Sequence, residues 1–412
     1  EATHSQVGWE VMHFGFNPYY GLFGDITGSM TLDPKNLNAT KVDGTGVDTD
    51  FWVHVSGGII ASTGTGDTWR TLRVTQSIDA AGDYLVPGFI DLHRHGGAGF
   101  ANDDGADSAV SVAAFHRQHG TTRSLVSFVA APVADLLDRL AWVADLSRSD
   151  PSILGSHLEG PFLDEERRGA HNREYLMSPS VHVVDAMLDA AQGTLGQVTI
   201  DPGREGALEA IRRFTDAGVS VAVGHTSASY EQTIAAFAHG ARLLTHAFNA
   251  MPGITARHPG PVIAALDSPD VSLELILDGK HVHPRVAAGL LSAAPHRIAL
   301  ITDAMSATGC PDGGYRIGDL DVVVHDGTAR LADGKTLAGS TVTLDASLQI
   351  GRAAGVDLIT LIEAITATPA RILGIDHSLG LVRAGNCADL VRLDSELVVR
   401  DVHSGRMPGE SR

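Results

Sequence analysis

Short apolar runs recur along the middle of the chain, and Ala-rich stretches with helical spacing separate them. Each run has the length and composition of a buried strand. The runs are Leu85–Asp91, Thr122–Val129, Ile153–Glu159, Gln197–Ile200, Val219–His225, Arg242–His246, Leu273–Leu277 and Arg297–Asp303. The predicted helices include 133–147, 205–217, 229–239, 284–294 and 358–367. Eight strands with intervening helices predict an α/β fold, a (β/α)8 barrel of the TIM type.

A doubly wound open sheet would show the same alternation of strands and helices. Such sheets commonly carry a Gly-rich dinucleotide fingerprint or a phosphate-cradling P-loop directly after a strand. Neither motif follows any of the apolar runs in this chain. The barrel is therefore the favoured interpretation.

The two ends of the chain have short strand-like segments between turn residues. The predicted strands there are Phe51–Ser56, Thr71–Thr75, Ala388–Leu393 and Leu397–Arg400. We expect residues 31–85 and 376–412 to form one small β-sandwich domain beside a barrel of residues 86–375. Residues 1–30 are aromatic and Gly-rich and end in Gly28-Ser29-Met30. This segment is interpreted as a tag or extension before an authentic start.

The charge balance narrows the class of protein. The 412 residues include 30 Lys and Arg against 49 Asp and Glu, a net charge of −19. A broad nucleic-acid surface and adhesion to an anionic membrane both need clustered basic residues, so both are disfavoured. A single phosphate on a small molecule can still be bound locally. Neither a membrane span nor a signal peptide is visible, and a cytoplasmic location is expected.

The residue types also restrict any metal chemistry. The chain has only two cysteines, Cys310 and Cys387, which excludes both a disulfide framework and a zinc site built on thiolates. It has 20 histidines. Any metal would therefore be held by His and carboxylate side chains.

Five of the eight apolar runs end in, or lead directly into, side chains that can bind a metal. These candidate ligands are His93, His95, Glu159, His225, His246 and Asp303. Barrel enzymes hold their reacting groups at the C-terminal ends of the strands, and alternate residues of one strand face the same side. Four His and two carboxylates predict a divalent metal, zinc or a similar first-row ion, with a water or hydroxide completing its shell.

Each of these residues also has a simpler interpretation. A single His at a strand end is more often a hydrogen-bonded buried residue than a ligand, and His-Xaa-His pairs are common on surfaces. A carboxylate at a strand end often caps the next helix. Five such ends in one barrel-like series are hard to explain in this way, so the metal site is the favoured hypothesis.

The same residues carry a family resemblance. The chain resembles the amidohydrolase superfamily and, more narrowly, the N-acetylglucosamine-6-phosphate deacetylases. The matching segments follow one another in order over residues 86–340 and so cover the whole predicted barrel. They are Val86–Gly97, His157–Phe162, Arg167–His171, Gly224–Thr226, Thr245–Pro252, Asp278–His281, Thr302–Met305 and Leu337–Ser340.

The resemblance implies a role for each ligand. Glu159, His225 and His246 would hold the principal metal. His93 and His95 would hold a second ion, with Glu159 able to bridge the two. Both His residues of the pair are present, so a binuclear site is allowed.

The resemblance also implies the catalytic and substrate-binding groups. Asp303 would be the catalytic acid–base, and His171 would donate a hydrogen bond to the carbonyl oxygen as charge develops on it. Arg257 and His281 would contact the 6-phosphate, one of them from the neighbouring subunit of a homodimer. The full set of implied substrate contacts is Ala170, His171, Asn249, Ala250, Arg257, Asp278, His281, Leu337, Ala338 and Gly339.

The activity expected from this resemblance is hydrolysis of the acetamide of N-acetylglucosamine 6-phosphate to glucosamine 6-phosphate and acetate. The galactosamine epimer is an open alternative, since no residue discriminates the two sugars. A cyclic amidohydrolase of the dihydroorotase type is disfavoured, because no candidate strand ends in the Lys that bridges the metals in those enzymes. A catalytically inactive barrel that binds a sugar phosphate is the alternative of another class.

Overall fold

A computed structural model of the protein describes residues 30–31 and 40–406, so all of the predicted extension except Met30 lies outside the described residues. At the centre is one sheet of eight parallel strands, here numbered β1–β8. Their bounds are Phe89–Asp91 (β1), Thr121–Val129 (β2), Ile153–Glu159 (β3), Leu195–Ile200 (β4), Ser220–Val223 (β5), Leu243–Leu244 (β6), Ser272–Ile276 (β7) and Ile298–Ile301 (β8). The predicted α/β barrel is confirmed.

The sheet closes through short contacts from the segment that follows β8 to the end of β1 and the residues after it. The amide of Asp303 donates a hydrogen bond to the carbonyl oxygen of His93 at 2.8 Å. Thr302 Oγ1 donates to Asp91 Oδ2 at 2.6 Å. These bonds involve two of the predicted ligands, so closure of the barrel and placement of the ligands depend on the same contacts.

Ten α-helices accompany these strands in the described residues. They are Ala106–Gln118 (α1), Val133–Ser149 (α2), Val181–Ala191 (α3), Ala207–Asp216 (α4), Tyr230–Ala238 (α5), Gly260–Leu266 (α6), Pro284–Ala293 (α7), Leu344–Ala353 (α8), Leu358–Ile365 (α9) and Ala367–Ile372 (α10). The five predicted helices form within two residues of their expected bounds. Across residues 30–31 and 40–406, none of the helices is long and apolar enough to span a bilayer.

The helices form where the sequence supplies caps and apolar stripes. In α2 the buried residues are Leu136, Leu140, Val143 and Ala144, a spacing that gives the helix one apolar face toward the barrel. The helix α5 begins after Ser229 with a capping box shared with Gln232.

A second sheet joins the two ends of the chain. Its five strands lie in the order Val399–His403, Leu390–Leu393, Tyr84–Pro87, Thr40–Asp43 and Gly46–Asp48. The hairpin of Phe51–Ser56 and Ile59–Thr65 packs on this sheet through an apolar cluster that includes Val53, Leu85 and Leu390. The proposed domain bounds, 31–85 with 376–412 beside 86–375, stay a prediction.

Three smaller sheets complete the strands of the described residues. Two of them are pairs, of Met30–Thr31 with Gln76–Ser77 and of Gly96–Gly97 with Phe100–Ala101. The third is an antiparallel sheet of Gly313–Ile317, Leu320–His325 and Thr328–Leu331, which follows β8. Its apolar cluster includes Val129, the last residue of β2, so this sheet packs at the C-terminal ends of the barrel strands.

One predicted barrel strand is divided between two sheets. The run Leu85–Asp91 was expected to form a single strand, but its first part belongs to the five-stranded sheet and only β1 belongs to the barrel. Gly88 lies between the two parts. A Cβ atom at this position would lie 2.2 Å from Thr122 Oγ1 and 2.9 Å from Asp389 Cβ. The chain therefore crosses from one sheet to the other where only Gly fits.

The predicted strand Thr71–Thr75 is wrong. A 3-10 helix covers Gly66–Thr71, and Thr71 Oγ1 donates a hydrogen bond to the carbonyl oxygen of Thr68 at 2.9 Å. Local bonds from Thr hydroxyl groups compete with strand pairing. The strand of this region is Gln76–Ser77 instead.

Candidate metal centre and active site

The candidate ligands meet at one end of the barrel. Because the strands are parallel, their C-terminal ends lie on the same side. The ligand atoms form two buried groups, and within each group all atoms lie within 4.8 Å of one another. The groups are Glu159 with His225 and His246, and His93 with His95, Glu159 and Asp303.

The first group is built by β3, β5 and β6. Glu159 Oε1 lies 3.0 Å from His225 Nε2 and 3.1 Å from His246 Nε2, and these two nitrogens are 3.0 Å apart. The residue before His225 is Gly224. A side chain does not fit at position 224, since a Cβ atom there would lie 2.6 Å from Thr245 Cβ. This close approach of β5 and β6 brings the two imidazoles together.

The second group is built by the segments after β1 and β8. His93 Nε2 and His95 Nε2 are 3.1 Å apart. Asp303 Oδ1 lies 3.5 Å from the first of these atoms and 3.4 Å from the second. His95 Nε2 is 3.1 Å from Glu159 Oε2, and His93 Nε2 is 3.4 Å from Glu159 Oε1. Glu159 therefore touches both groups: Oε1 lies near His225, His246 and His93, and Oε2 lies near His95.

The hydrogen bonds behind two imidazoles fix which nitrogen faces the site. His225 Nδ1 lies 2.8 Å from the carbonyl oxygen of Arg167, and His93 Nδ1 lies 3.2 Å from Glu274 Oε2. Both partners accept hydrogen bonds, so each Nδ1 carries a proton and Nε2 is the nitrogen left to bind a metal. Each Nε2 faces an oxygen of Glu159. Such converging donor atoms fit a divalent cation, and their nitrogen and oxygen chemistry suits a first-row metal.

The buried charges create a strongly negative potential at this point. Burial lowers the pKa of His93 and of His95, but the carboxylates of Glu159 and Asp303 outweigh this effect. The pKa of His95 rises to about 9, and that of His93 lies well above its ordinary value. Burial raises the pKa of Glu159, yet the surrounding imidazoles, His93 first, hold it well below its usual range. A cation is therefore strongly favoured here.

Three of the candidate ligands lie on backbone in the left-handed region. The φ angles are 46° at His225, 25° at His246 and 48° at Asp303. L-residues other than Gly adopt this conformation rarely, although Asn, Asp and His are several-fold enriched among those that do. Strained backbone of this kind clusters at functional sites. The chain turns sharply at these strand ends, immediately where the ligand side chains project into the group.

His171 lies beside the metal ligands on the loop that follows β3. The backbone N–H of Ala130 donates to His171 Nδ1 at 3.1 Å, so the proton of the neutral ring lies on Nε2. His171 Nε2 is 3.3 Å from Glu159 Oε2. Burial is the main reason that the pKa of His171 falls to about 4. A neutral imidazole with its N–H directed into the site is a hydrogen-bond donor at neutral pH.

Asp303 has the ionisation state of a base. Burial raises its pKa, but the charge of His93 and the hydrogen bond from His95 outweigh burial and lower it. Its side chain retains a small solvent exposure of 11%, compared with 5% for Glu159. Asp303 is therefore a carboxylate at neutral pH that faces both the ligand groups and the cavity above them.

A cavity of about 460 Å³ opens directly above the ligands. This volume is within the range of small-molecule sites. Predicted residues that line the cavity are Glu159, Ala170, His171, His225, His246, Asn249, Ala250, His281, Asp303, Leu337 and Gly339. Leu337 and Gly339 follow the antiparallel sheet described above, so the wall opposite the barrel comes from a different part of the chain.

Three predicted substrate contacts do not lie on the cavity wall. Arg257 is exposed on the loop between β6 and α6, and Ala338 is fully buried in an apolar cluster. Asp278 lies behind His281: its Oδ2 is 2.7 Å from His281 Nδ1, and its Oδ1 accepts from the amide of His281 at 2.8 Å. Asp278 therefore orients His281, whose other ring nitrogen faces away from this bond.

Sequence reasoning missed several groups of the site. Arg167, Arg168 and Lys335 line the cavity together with His281, so its wall carries basic side chains besides the carboxylates of Glu166 and Asp333. Glu274 is fully buried and contacts His93. In the sequence, Glu274 is noticeable as a lone carboxylate inside the apolar run Leu273–Leu277, where a charged side chain is unusual.

Comparison with known proteins places the chain among hydrolases. The model of the amidohydrolase family matches residues 84–405. The chain is 39% identical over 325 residues to the N-acetylgalactosamine-6-phosphate deacetylase of Escherichia coli O157:H7, covering 78% of this chain and 86% of that protein. It is 37% identical over 321 residues to the N-acetylglucosamine-6-phosphate deacetylase of Vibrio furnissii, covering 76% of this chain and 80% of that protein.

Solved structures show the same likeness over more of the chain. A mutant of the N-acetyl-D-glucosamine-6-phosphate deacetylase from Mycobacterium smegmatis, in complex with N-acetyl-D-glucosamine-6-phosphate, superposes with a TM-score of 0.85. The identity is 38%, and the match covers 91% of this chain and 97% of that chain. The deacetylase from Pasteurella multocida has a TM-score of 0.84 at 26% identity, covering 89% of this chain and 97% of that chain.

Proposed function

The chain belongs to the amidohydrolase family of metal-dependent hydrolytic enzymes, and on that basis we propose that it hydrolyses the acetamide of N-acetyl-D-glucosamine 6-phosphate. The products are glucosamine 6-phosphate and acetate. The observation that carries this proposal is one cavity with metal-ligand groups at its base and basic side chains on its wall. Deacetylases for amino sugar phosphates are its relatives at 37–39% identity.

The proposed metal is zinc, with one or two ions per subunit. Glu159, His225 and His246 would hold the first ion, and His93 with His95 the second. When bound, such an ion polarises the acetamide carbonyl and lowers the pKa of water. Nitrogen and oxygen ligands without thiolates are typical of catalytic zinc sites, which supports the choice.

The side chains of the site then have distinct tasks. Asp303 takes a proton from the attacking water while the water oxygen forms a bond to the carbonyl carbon. The same proton passes to the amine nitrogen as the carbon–nitrogen bond breaks. The N–H at His171 Nε2 donates a hydrogen bond to the carbonyl oxygen, where negative charge develops. The pKa of about 4 keeps His171 neutral through this step.

The wall of the cavity supports a sugar phosphate. Asn249, Ala250 and the loop of Leu337 and Gly339 would contact the sugar, while His281 would contact the phosphate. Asp278 supports this role of His281, because it bonds His281 Nδ1 and leaves Nε2 for the ligand. We propose that Arg257 of a second copy of the chain reaches the same phosphate, as its guanidinium offers a planar donor fork.

The substrate is tested with a panel of acetylated sugars and measurement of acetate release. We expect the highest kcat/KM with N-acetylglucosamine 6-phosphate and about 100-fold less without the phosphate, since hydrogen bonds to charged groups contribute about 1.5–3 kcal/mol each. A chelator should abolish activity, and Zn²⁺ should restore it. Equal rates with and without the phosphate would contradict the proposed substrate.

The galactosamine epimer is the second candidate. The relative from Escherichia coli O157:H7 with 39% identity has the name of an N-acetylgalactosamine-6-phosphate deacetylase. The two sugars differ at one hydroxyl group, so both 6-phosphates belong in the same panel. A higher kcat/KM for the galactosamine compound would favour this candidate without changing the mechanism.

His171→Phe tests the proposed hydrogen bond to the carbonyl oxygen. The variant keeps a planar ring but removes the N–H donor, and we expect kcat to fall by about 10²–10³-fold with a much smaller change in KM. The measurement is steady-state kinetics on metal-loaded protein. A fall that appears only in KM would assign His171 to substrate binding, and unchanged kinetics would remove it from the site.

A further inference from the structure

Glu274 is a buried carboxylate that connects the two ligand groups. It lies in the middle of β7, between Leu273 and Leu275, and its exposure is 0%. One oxygen, Oε2, is 3.2 Å from His93 Nδ1 and accepts from the amide of His246 at 3.3 Å. The other oxygen, Oε1, accepts from Gln197 Nε2 at 2.6 Å. The carboxylate thus touches a ligand of each group without facing the cavity.

All three neighbours of Glu274 act as hydrogen-bond donors. The Gln197 amide nitrogen and the His246 main-chain N–H can only donate, and His93 Nδ1 must carry the proton if its Nε2 binds a metal. A carboxylate accepts at every one of its lone pairs, so it satisfies the three donors together. An imidazole that donates its second N–H to a carboxylate is held in one orientation and is a more basic metal ligand.

The charge of Glu274 also needs compensation. A buried carboxylate is costly unless a positive charge lies close to it. Among the described residues, its hydrogen-bond partners are His93, Gln197 and the His246 amide, so neither Lys nor Arg is bonded to it. Together with Glu159 and Asp303, Glu274 brings three carboxylates to the site. A divalent ion bound at His93 Nε2 would place positive charge across the ring from Glu274, which contacts His93 Nδ1.

We propose that Glu274 is a positioning residue that secures a second metal ion at His93 and His95. It holds His93 Nε2 toward the ion, places a negative charge behind the His93 ring, and is itself fixed by Gln197. The backbone of His246 shares the same oxygen, so the orientation of the two ligand groups is coupled. The inference rests on the metal-dependent hydrolysis proposed above but concerns residues beyond those assigned to it.

The test is metal binding by Glu274→Gln without any substrate. The amide has the same shape but no charge, and one of its atoms is a donor that faces other donors. We expect the wild-type protein to take up two Zn²⁺ per chain, and the variant to bind the second ion about 10- to 100-fold more weakly, the usual loss for an outer partner of a ligand. Metal analysis and chelator competition give these values. With Co²⁺ as probe, the absorption spectrum should lose the contribution of the second ion.

Two further variants keep the test decisive. Thr199→Val removes buried hydrogen bonds to His157 and Thr245, 3.0 Å and 2.9 Å long, but leaves every hydrogen bond of Glu274 in place, and it should bind two ions like the wild type. Gln197→Met leaves the carboxylate but removes its amide partner, so it should weaken the second ion in the same direction by a smaller factor. It replaces Glu274→Gln if that variant does not fold.

The outcomes separate this inference from the proposed function. A wild-type protein that binds a single ion, or variants that bind the second ion as tightly as wild type, would overturn the role of Glu274. Neither result depends on which sugar is hydrolysed. Conversely, failure to release acetate from any sugar phosphate would contradict the proposed function while the metal-binding result stands.

Discussion

Replacing Asp303 with Asn is expected to lower kcat by about 10²–10⁴-fold, the usual contribution of a positioned acid–base group. The amide cannot take a proton from water at neutral pH, and it cannot return one to the amine. Asp303 lies 3.4 Å and 3.5 Å from the imidazoles of His95 and His93, so it is close enough to act on water held at the ligands. Steady-state kinetics over pH 5–9 would measure the loss.

Metal content distinguishes this role from a ligand role. If Asp303 acts as the acid–base, Asp303→Asn should retain the metal stoichiometry of the wild type and lose only kcat. Glu166→Gln is a matched control, because Glu166 is an exposed carboxylate on the wall of the same cavity. A variant with near-normal kcat would show that proton transfer is performed by another group.

Replacing Glu159 with Gln should remove both metal binding and activity. Its Oε1 lies 3.0 Å from His225 Nε2 of the first group and its Oε2 lies 3.1 Å from His95 Nε2 of the second, so its charge serves both. Loss of the ion removes several kcal/mol of transition-state stabilisation, and each 1.4 kcal/mol or so is tenfold in rate. We therefore expect kcat/KM to fall by about 10³-fold or more, with less than one ion per chain.

Folding must be checked separately for this variant. The Glu159→Gln substitution keeps the size of the side chain, and thermal unfolding followed by circular dichroism would show whether the barrel is intact. A folded variant that keeps both ions and substantial kcat/KM would contradict the assignment of Glu159 as the shared ligand. The Glu166→Gln protein again provides the comparison, since it changes the same functional group elsewhere in the cavity.

The barrel could be predicted because its signal is local and repeated. Eight apolar runs and the helical spacing between them are visible without any tertiary contact, and ligand-type residues at the run ends follow from the parallel arrangement. The two errors in the predicted strands have different causes. Gly88 divides one run because Thr122 and Asp389 approach it from other parts of the chain. Thr71 forms a local hydrogen bond in place of strand pairing.

Residues of the candidate site could be predicted where their position in the sequence, at the end of a predicted strand, pointed to a role. The six ligand candidates lie at strand ends, and the structure brings all of them together. Glu274 stood out only as a carboxylate inside an apolar run, and its role could not be read from that position because it depends on donors from β4 and from the segments after β1 and β6. Lys335 lines the cavity from a distant loop, and no spacing in the sequence connects it with His281.

The left-handed backbone at residues 225, 246 and 303 constrains how this donor set can change during evolution. Apart from Gly, the residue types best suited to that conformation are Asn, Asp and His, and only Asp and His of these are strong metal ligands. Exchange for Cys or Glu would add backbone strain of about 1–3 kcal/mol. Gly would relieve strain and delete the ligand, so selection for thermal stability alone would lead toward inactive sequences. The backbone thereby restricts the accessible metal preference to ions that accept imidazole and carboxylate.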